Sequence, residues 1–141
     1  MIEQKIDAEK IVDRLISIFT VVPQIYEHND KEVERRDFEH SDLTHVVELS
    51  TFGGVQGFKL AKQIQENRQK RREAKDQNFI LRPLYEFIKR NQSLLPQLEK
   101  VRADTLKQIK ANKERRYHPR SDNELVLNVI EQINSREDEA K

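Results

Sequence analysis

Cysteine and tryptophan are absent from this chain of 141 residues, which has only three glycines and four prolines. The lack of cysteine excludes a disulfide scaffold, thiol catalysis and a zinc site with cysteine ligands. So few glycines and prolines argue against an all-β sandwich, which needs a turn about every 8–12 residues. Apolar residues make up only 35% of the chain and charged residues 36%. We therefore expect an elongated helical protein with a narrow apolar seam rather than a large rounded core.

Long apolar runs are also missing. The longest apolar-rich stretch, Leu15 to Val22, is much shorter than the roughly 20 residues that span a bilayer. The start of the chain, MIEQKIDAEK, is charged and unlike a signal peptide. These features predict a cytoplasmic protein that has no contact with a membrane.

What the chain has in abundance is charge, and the charge is segregated. Residues 1–50 hold 6 Lys/Arg and 12 Asp/Glu, residues 51–120 hold 18 and 7, and residues 121–141 hold 2 and 6. A basic middle between acidic ends has two physical interpretations. The acidic ends neutralise the middle, within one chain or across a dimer, or the middle faces a polyanion such as nucleic acid.

The spacing of apolar residues predicts an all-α fold of about five helices. Asp7 is expected to cap the first helix, which should end or kink at Pro23. The polar stretch 27–40 is interpreted as a loop or a poorly packed helix, and a short helix is expected over 42–49. A longer helix should begin near Val55.

The apolar stripe of this longer helix disappears over 65–78 and returns afterwards, with a kink or a restart expected at Pro83. The turn Asn91–Ser93 should lead to a helix that runs to about Arg116. Ser121 and Glu124 form a capping box for the last helix, and residues 135–141 are expected to fray. The predicted domain is a single one: an acidic helical region over 1–50, a basic helical hairpin over 51–120, and an acidic helix over 121–141.

If the helices on either side of Ser93 form a long, coiled-coil-like antiparallel hairpin at the centre of the fold, two basic groups meet at its open end, roughly 30 Å from the turn. The predicted binding site is this cationic cluster: Arg68, Lys70, Arg71, Arg72, Lys75, Lys113, Arg115, Arg116 and Arg120. Cations brought together repel, so they need phosphates or carboxylates to balance them. Phosphate contact and internal neutralisation both remain open, as does a solvated helix face.

Patterns that would indicate catalysis are weak. His40 and His45 lie near acidic residues but are five positions apart across a predicted helix start, which argues against a metal site. The E-x-x-D matches lack the upstream E-x-x-E of nucleotide pyrophosphohydrolases, and Gly53-Gly54 lacks the Lys-Ser/Thr of a phosphate loop. No catalytic residue, metal or cofactor is predicted. A helix-turn-helix over 42–68 is a further interpretation.

The run DLTHVVELSTFGGVQGFKLAKQIQENRQKRREAKDQ, with LRPLYEFIKR and RRYHPR after it, resembles small uncharacterised helical proteins of bacteriophages that infect low-GC Gram-positive bacteria. The resemblance covers residues 40–120 and implies an accessory protein in a bacterial cytoplasm. Such proteins commonly bind host or phage proteins, some of them defence or replication enzymes, or regulate nucleic-acid transactions.

The sequence thus predicts a non-enzymatic interaction protein. It would bind a protein partner, such as a host nucleic-acid or defence enzyme, through apolar helix faces and the cationic cluster. The alternative is a regulatory protein that contacts the phosphate backbone of nucleic acid with the same cluster. Because a core made by one copy would be thin, a homodimer or a higher oligomer is expected.

Overall fold

A computed structural model describes residues 6–140 of the chain. Over this range it contains four α-helices and no strand: α1 Ala8–Leu49, α2 Gly54–Arg90, α3 Leu94–Glu114 and α4 Glu124–Glu139. The all-α prediction is confirmed, but the helices are four rather than five. The difference arises in the first fifty residues, where one long helix replaces two short ones.

Helix α1 begins as the sequence indicates and continues much further. Asp7 is its N-cap, and the Asp7 side chain accepts a hydrogen bond of 3.1 Å from the backbone N–H of Lys10. The helix passes through Pro23 and includes residues 27–40 and 42–49. Of an end or a kink at Pro23, the end was therefore wrong, and of a loop or a poorly packed helix over 27–40, the loop was wrong and a helix is present. Packing against α2 on both sides of Pro23 compensates for the backbone hydrogen bond that proline removes. The helix-turn-helix interpretation fails for the same reason, because its first short helix is part of α1.

Helix α2 is also continuous. It includes the polar stretch 65–78 and passes through Pro83, so no restart occurs there. The turn at Asn91–Ser93 is confirmed, and α3 ends two residues before the predicted Arg116.

Helix α4 begins at a different cap from the predicted one. Asn123 is the N-cap, and its Oδ1 accepts a hydrogen bond of 3.2 Å from the backbone N–H of Val126. The expected capping box at Ser121 and Glu124 was therefore wrong, because Glu124 is the first helical residue. The helix extends to Glu139, through most of the stretch expected to fray. Lys141 lies outside the described residues.

The helices that pack against each other over a long distance are α1 and α2. They are antiparallel: Phe19 contacts Phe87, Asn29 bonds to Asn78, and the Arg36 carbonyl accepts a bond from Asn67. The predicted hairpin about Ser93, with its coiled-coil arrangement of the flanking helices, is not confirmed.

Shielded residues of α1 and α2 recur at alternating spacings of mostly three and four, the pattern of a narrow helix–helix seam. The seam residues of α1 are Val12, Phe19, Val22, Tyr26, Asn29, Val33, Arg36, His40 and Leu43, and those of α2 are Leu60, Ile64, Asn67, Arg71, Ala74, Asn78, Leu81, Tyr85 and Ile88. The middle of the seam is polar and its outer parts are mostly apolar. The only buried hydrophobic residues in the described range are Val12, Ala74 and Ile88.

The chain divides into two compact units after Val101. The first contains α1, α2 and the start of α3, and the second contains the rest of α3 and α4. Within residues 6–140, no helix carries an apolar stretch long enough to cross a membrane.

Candidate interaction surfaces

Two buried asparagines bond to each other at the middle of the seam. The Nδ2 of Asn29 donates hydrogen bonds to the Oδ1 of Asn78 at 3.0 Å and to the Oε1 of Gln77 at 3.1 Å. The Nδ2 of Asn78 donates to the carbonyl of Tyr26 at 2.9 Å and to the Oδ1 of Asp30 at 2.8 Å. Because a buried amide without partners is costly, these bonds tie α1 and α2 to one alignment.

A second buried amide bonds across the seam nearer the connection between the helices. The Nδ2 of Asn67 donates to the carbonyl of Arg36 at 3.0 Å and to the Oε2 of Glu39 at 2.7 Å. Arg68 donates to the Oδ1 of Asn67 at 2.8 Å, which satisfies the acceptor side of the amide. The bond from Asn67, together with Arg36, holds the pKa of the Glu39 carboxyl below its usual range.

Asp37 of α1 binds two members of the predicted cationic cluster. The Nε of Arg71 lies 2.6 Å and the Nη1 of Arg68 lies 3.2 Å from the Oδ1 of Asp37. The hydrogen bond from Arg71, followed by that from Arg68, lowers the pKa of Asp37. An acidic residue of region 1–50 therefore neutralises part of the basic middle within one chain, as one of the two interpretations of the charge pattern predicts.

Arginines also surround Glu32, on the same helix. Its carboxylate accepts bonds from Arg35 at 2.8 Å and from Arg36 at 2.7 Å. These bonds, that of Arg35 first, lower the pKa of Glu32 to about 2. The carboxylates of α1 near the seam are thus held as charged acceptors, a state that suits ion pairing rather than proton donation.

The other basic residues of the cluster in the first unit point into solvent. Lys70, Arg72 and Lys75 are exposed, and none of them forms an ion pair with a described residue. Arg68, Arg72 and Lys75 follow one another at i, i+4 and i+7, so they form one cationic stripe along α2. Within the first unit, the structure therefore brings together Arg68 and Arg71 on Asp37, and it places Arg68, Arg72 and Lys75 in one stripe.

In the second unit, an acidic segment again neutralises a basic one. Arg116 donates to the Oε2 of Glu137 at 2.7 Å and bonds to the carboxylate of Asp138. Arg116 also lines an open groove of about 700 Å³, between the end of α3, residues 115–120 and α4. The remaining cluster members in this unit are exposed: Lys113, Arg115 and Arg120. That they meet the cations of the first unit stays a prediction.

His40 and His45, the histidines considered for a metal site, do not form part of a metal cluster. The Nδ1 of His45 lies 2.7 Å from the carbonyl of Ser41 in the preceding turn, and His40 is a half-buried seam residue whose Nδ1 has no hydrogen-bond partner. Among residues 6–140 there is no group of three or more potential ligands that could hold a metal ion.

A large set of exposed hydrophobic residues adjoins the seam at the end of the α1–α2 pair away from the connection 50–53. We call it the apolar face; its members, with exposed fractions between 40% and 76%, are Ile11, Leu15, Ile18, Ile25, Ile80, Leu84 and Phe87.

The members of the apolar face lie on one side of the helix pair. Ile18 and Ile25 directly precede seam residues of α1, and Leu84 directly precedes the seam residue Tyr85. In an antiparallel pair, positions that precede the seam in this way are neighbours across it. Phe87 is one turn from Leu84 and contacts Phe19 edge-on, with 6.5 Å between ring centroids. The face therefore continues from one helix to the other.

Helix α4 has an apolar side of its own. Leu125, Val126, Val129 and Ile133 recur at helical spacing and are exposed by 37% to 72%. The second unit thus also has a hydrophobic surface that its own residues leave open to solvent.

Sequence reasoning found the individual hydrophobic residues of α1 and α2 but missed the apolar face, because it assigned them to helices that pack differently. The available signal was the width of the apolar arc. Residues 11–26 place hydrophobic side chains over more than half of the circumference of α1, which is more than one partner helix can cover.

The chain matches no family model, no curated protein and no solved structure.

Proposed function

We propose that this chain is a non-enzymatic interaction protein that binds a protein partner through the apolar face of α1 and α2. The observation that carries the proposal is the continuous exposure of seven large hydrophobic residues on one side of a helix pair. Contiguous apolar surface of this extent is a mark of association sites, whereas scattered hydrophobic residues are ordinary.

The carboxylates of α1 near the seam serve the packing of the helix pair. Glu32, Asp37 and Glu39 have lowered pKa values because arginine or asparagine side chains bond to them. The lowered pKa keeps these three carboxylates charged near neutral pH. Their chemistry is that of ion pairs that hold α1 to α2 or stiffen α1.

The exposed cations form a second surface, because Arg72 and Lys75 follow the seam residues Arg71 and Ala74 and so lie on the side of α2 opposite to the apolar face. Arg72 and Lys75 have no carboxylate partner among the described residues, so they are free to engage acidic groups of a bound protein. The resemblance to phage proteins supports a bacterial cytoplasm as the setting and a host or phage protein as the partner.

Site-specific photo-crosslinking in bacterial cells tests the proposal. The benzophenone amino acid p-benzoylphenylalanine replaces Leu84, in the apolar face, in one sample. It replaces Phe79 in the control, because Phe79 is 73% exposed but follows the seam residue Asn78 on the other side of α2. We expect a protein adduct after irradiation from position 84 and much less from position 79. Absence of any protein adduct from position 84 would refute the proposal.

Nucleic-acid binding is the second candidate, and the cationic stripe of Arg68, Arg72 and Lys75 is the observation that favours it. Because Asp37 already binds Arg68, the free contacts to phosphate would come from Arg72 and Lys75. Random duplex DNA titrated at about 50 and 200 mM salt should then bind with a steep salt dependence, near −0.9 in log–log slope per phosphate neutralised.

The double variant Arg72→Glu with Lys75→Glu is the discriminating sample in this titration. It should lose DNA binding, while Lys62→Glu, elsewhere on α2, should retain most of it. No binding by the unaltered chain at either salt concentration would exclude this candidate.

A further inference from the structure

We infer that the apolar face binds the same face of a second copy of this chain, so that the α1–α2 pairs of two copies form a two-fold symmetric four-helix assembly. The inference rests on the proposed function and names its partner. It assigns a definite role to the seven residues of the apolar face, which the packing inside one copy leaves exposed.

The area of the face matches what a stable dimer needs. With about 200 Å² for a fully exposed large hydrophobic residue, the exposed fractions of 40% to 76% correspond to about 700 Å² of apolar surface. A standard interface buries roughly 600–1,000 Å² on each partner. The largest apolar patch on a typical monomer is about 300–600 Å², so the face is larger than isolated monomers usually tolerate.

The composition of the face makes it self-complementary. Its α1 half consists of three isoleucines and Leu15, and its α2 half consists of Ile80, Leu84 and Phe87. In a two-fold interface, residue i of one copy contacts residue j of the other, and j contacts i. In an antiparallel pair of copies, the isoleucines of α1 in each copy can therefore pack against the larger surface around Phe87 in the other copy. None of the seven side chains of the face is charged.

The burial pattern of a single copy points in the same direction. One copy buries only three hydrophobic residues in the described range, and the middle of its seam is joined by amides and arginines. Amides and ion pairs contribute little net stability compared with apolar burial. Covering the apolar face of two copies would add apolar burial at the end of the pair that contains Val12 and Ile88.

The mass of the purified full-length chain in solution tests the inference, by light scattering after size exclusion. We expect a mass of twice 16.8 kDa at a protein concentration of about 100 µM, because association is favoured at high concentration. The double variant Ile18→Lys with Leu84→Lys should raise the dissociation constant at least about 100-fold, because each charge enters the interface twice. The matched control Phe79→Lys should leave the mass unchanged. Helical content by circular dichroism checks that the variants fold, which the exposure of residues 18 and 84 leads us to expect.

A crosslinking measurement gives a result that does not depend on placing a charge in the apolar face. Purified protein with p-benzoylphenylalanine at position 84 is mixed as isotope-labelled and unlabelled copies and irradiated. Adducts that join a labelled to an unlabelled copy are expected, with attachment to α1. A monomeric mass, or attachment only within one copy, for example to α4, would overturn the inference.

The two proposals fail differently. If the purified chain is monomeric but position 84 crosslinks to another protein in cells, the dimer is refuted and the interaction function stands. If position 84 crosslinks to no protein in either setting, both are refuted.

Discussion

Replacing Asn78 by leucine tests whether the buried amides of the seam depend on each other. Leucine has the branched shape of asparagine but neither a donor nor an acceptor. In Asn78→Leu, the buried Asn29 loses the acceptor at 3.0 Å and keeps only Gln77 at 3.1 Å. The other two former partners of Asn78 stay satisfied, because Asp30 is exposed to water and the Tyr26 carbonyl belongs to a helix.

The expected magnitude follows from the cost of a half-satisfied buried amide. Leaving a buried polar group without its partner costs about 1–3 kcal/mol, so we expect Asn78→Leu to lower the free energy of unfolding by about 2 kcal/mol, roughly a 30-fold change in the folding equilibrium. In the double variant Asn29→Leu with Asn78→Leu, no amide is left unpaired and apolar contact replaces it. The double variant should therefore be more stable than the single one.

Urea unfolding followed by circular dichroism, at one fixed protein concentration, measures these free energies. The exposed Gln69→Ala serves as a control and should change the free energy of unfolding by no more than about 0.5 kcal/mol. If the free energy of unfolding of the double variant falls by the sum of the decreases in the two single variants, Asn29 and Asn78 act independently. The reasoning about their mutual dependence is then refuted.

Two further predictions concern acid stability and the start of α2. The ordinary pKa of Glu32 is 4.5 and its pKa in the folded chain is about 2, so the unfolded chain binds the proton first as the pH falls. The urea concentration at the unfolding midpoint should therefore decrease as the pH is lowered from about 4.5 to about 2. Glu32→Gln should make this decrease smaller. A Cβ at Gly57 would lie 3.1 Å from the Phe52 ring. Replacing glycine by alanine in a helix raises the free energy of unfolding by about 1 kcal/mol. Gly57→Ala should show more of this increase when Phe52 is also replaced by alanine than when Phe52 is present. Equal increases with and without Phe52 would contradict the contact.

The sequence was informative wherever a local signal decided the structure. Asp7 is an N-cap and Asn91–Ser93 a turn because the side-chain and backbone chemistry that favours them acts over a few residues. The all-α class follows in the same way from composition and periodicity. Local signals misled at Pro23 and Pro83, where contacts between distant residues outweigh the loss of one backbone hydrogen bond in each helix.

The pairing of the two polar stretches could not be predicted from local sequence patterns. Residues 27–40 and 65–78 each lack an apolar stripe, so neither sequence indicates that the helix packs against another helix. They pack together because Asn29, Asn67 and Asn78 recur at positions that continue the seam, and their hydrogen bonds connect the helices. The partial neutralisation of the cationic cluster by Asp37 is a consequence of the same pairing, which the charge pattern allowed but did not locate.

The two interior prolines have a mechanical consequence for the helix pair. Phe19 is level with Phe87 and Asn29 with Asn78, so Pro23 of α1 and Pro83 of α2 lie at nearly the same height along the pair. Each helix lacks one backbone hydrogen bond there, so bending costs less at this height than where both helices keep all their backbone hydrogen bonds. Bending concentrated at that height would tilt the end that contains most of the apolar face relative to the amide-bonded half, without breaking any bond of Asn29 or Asn67.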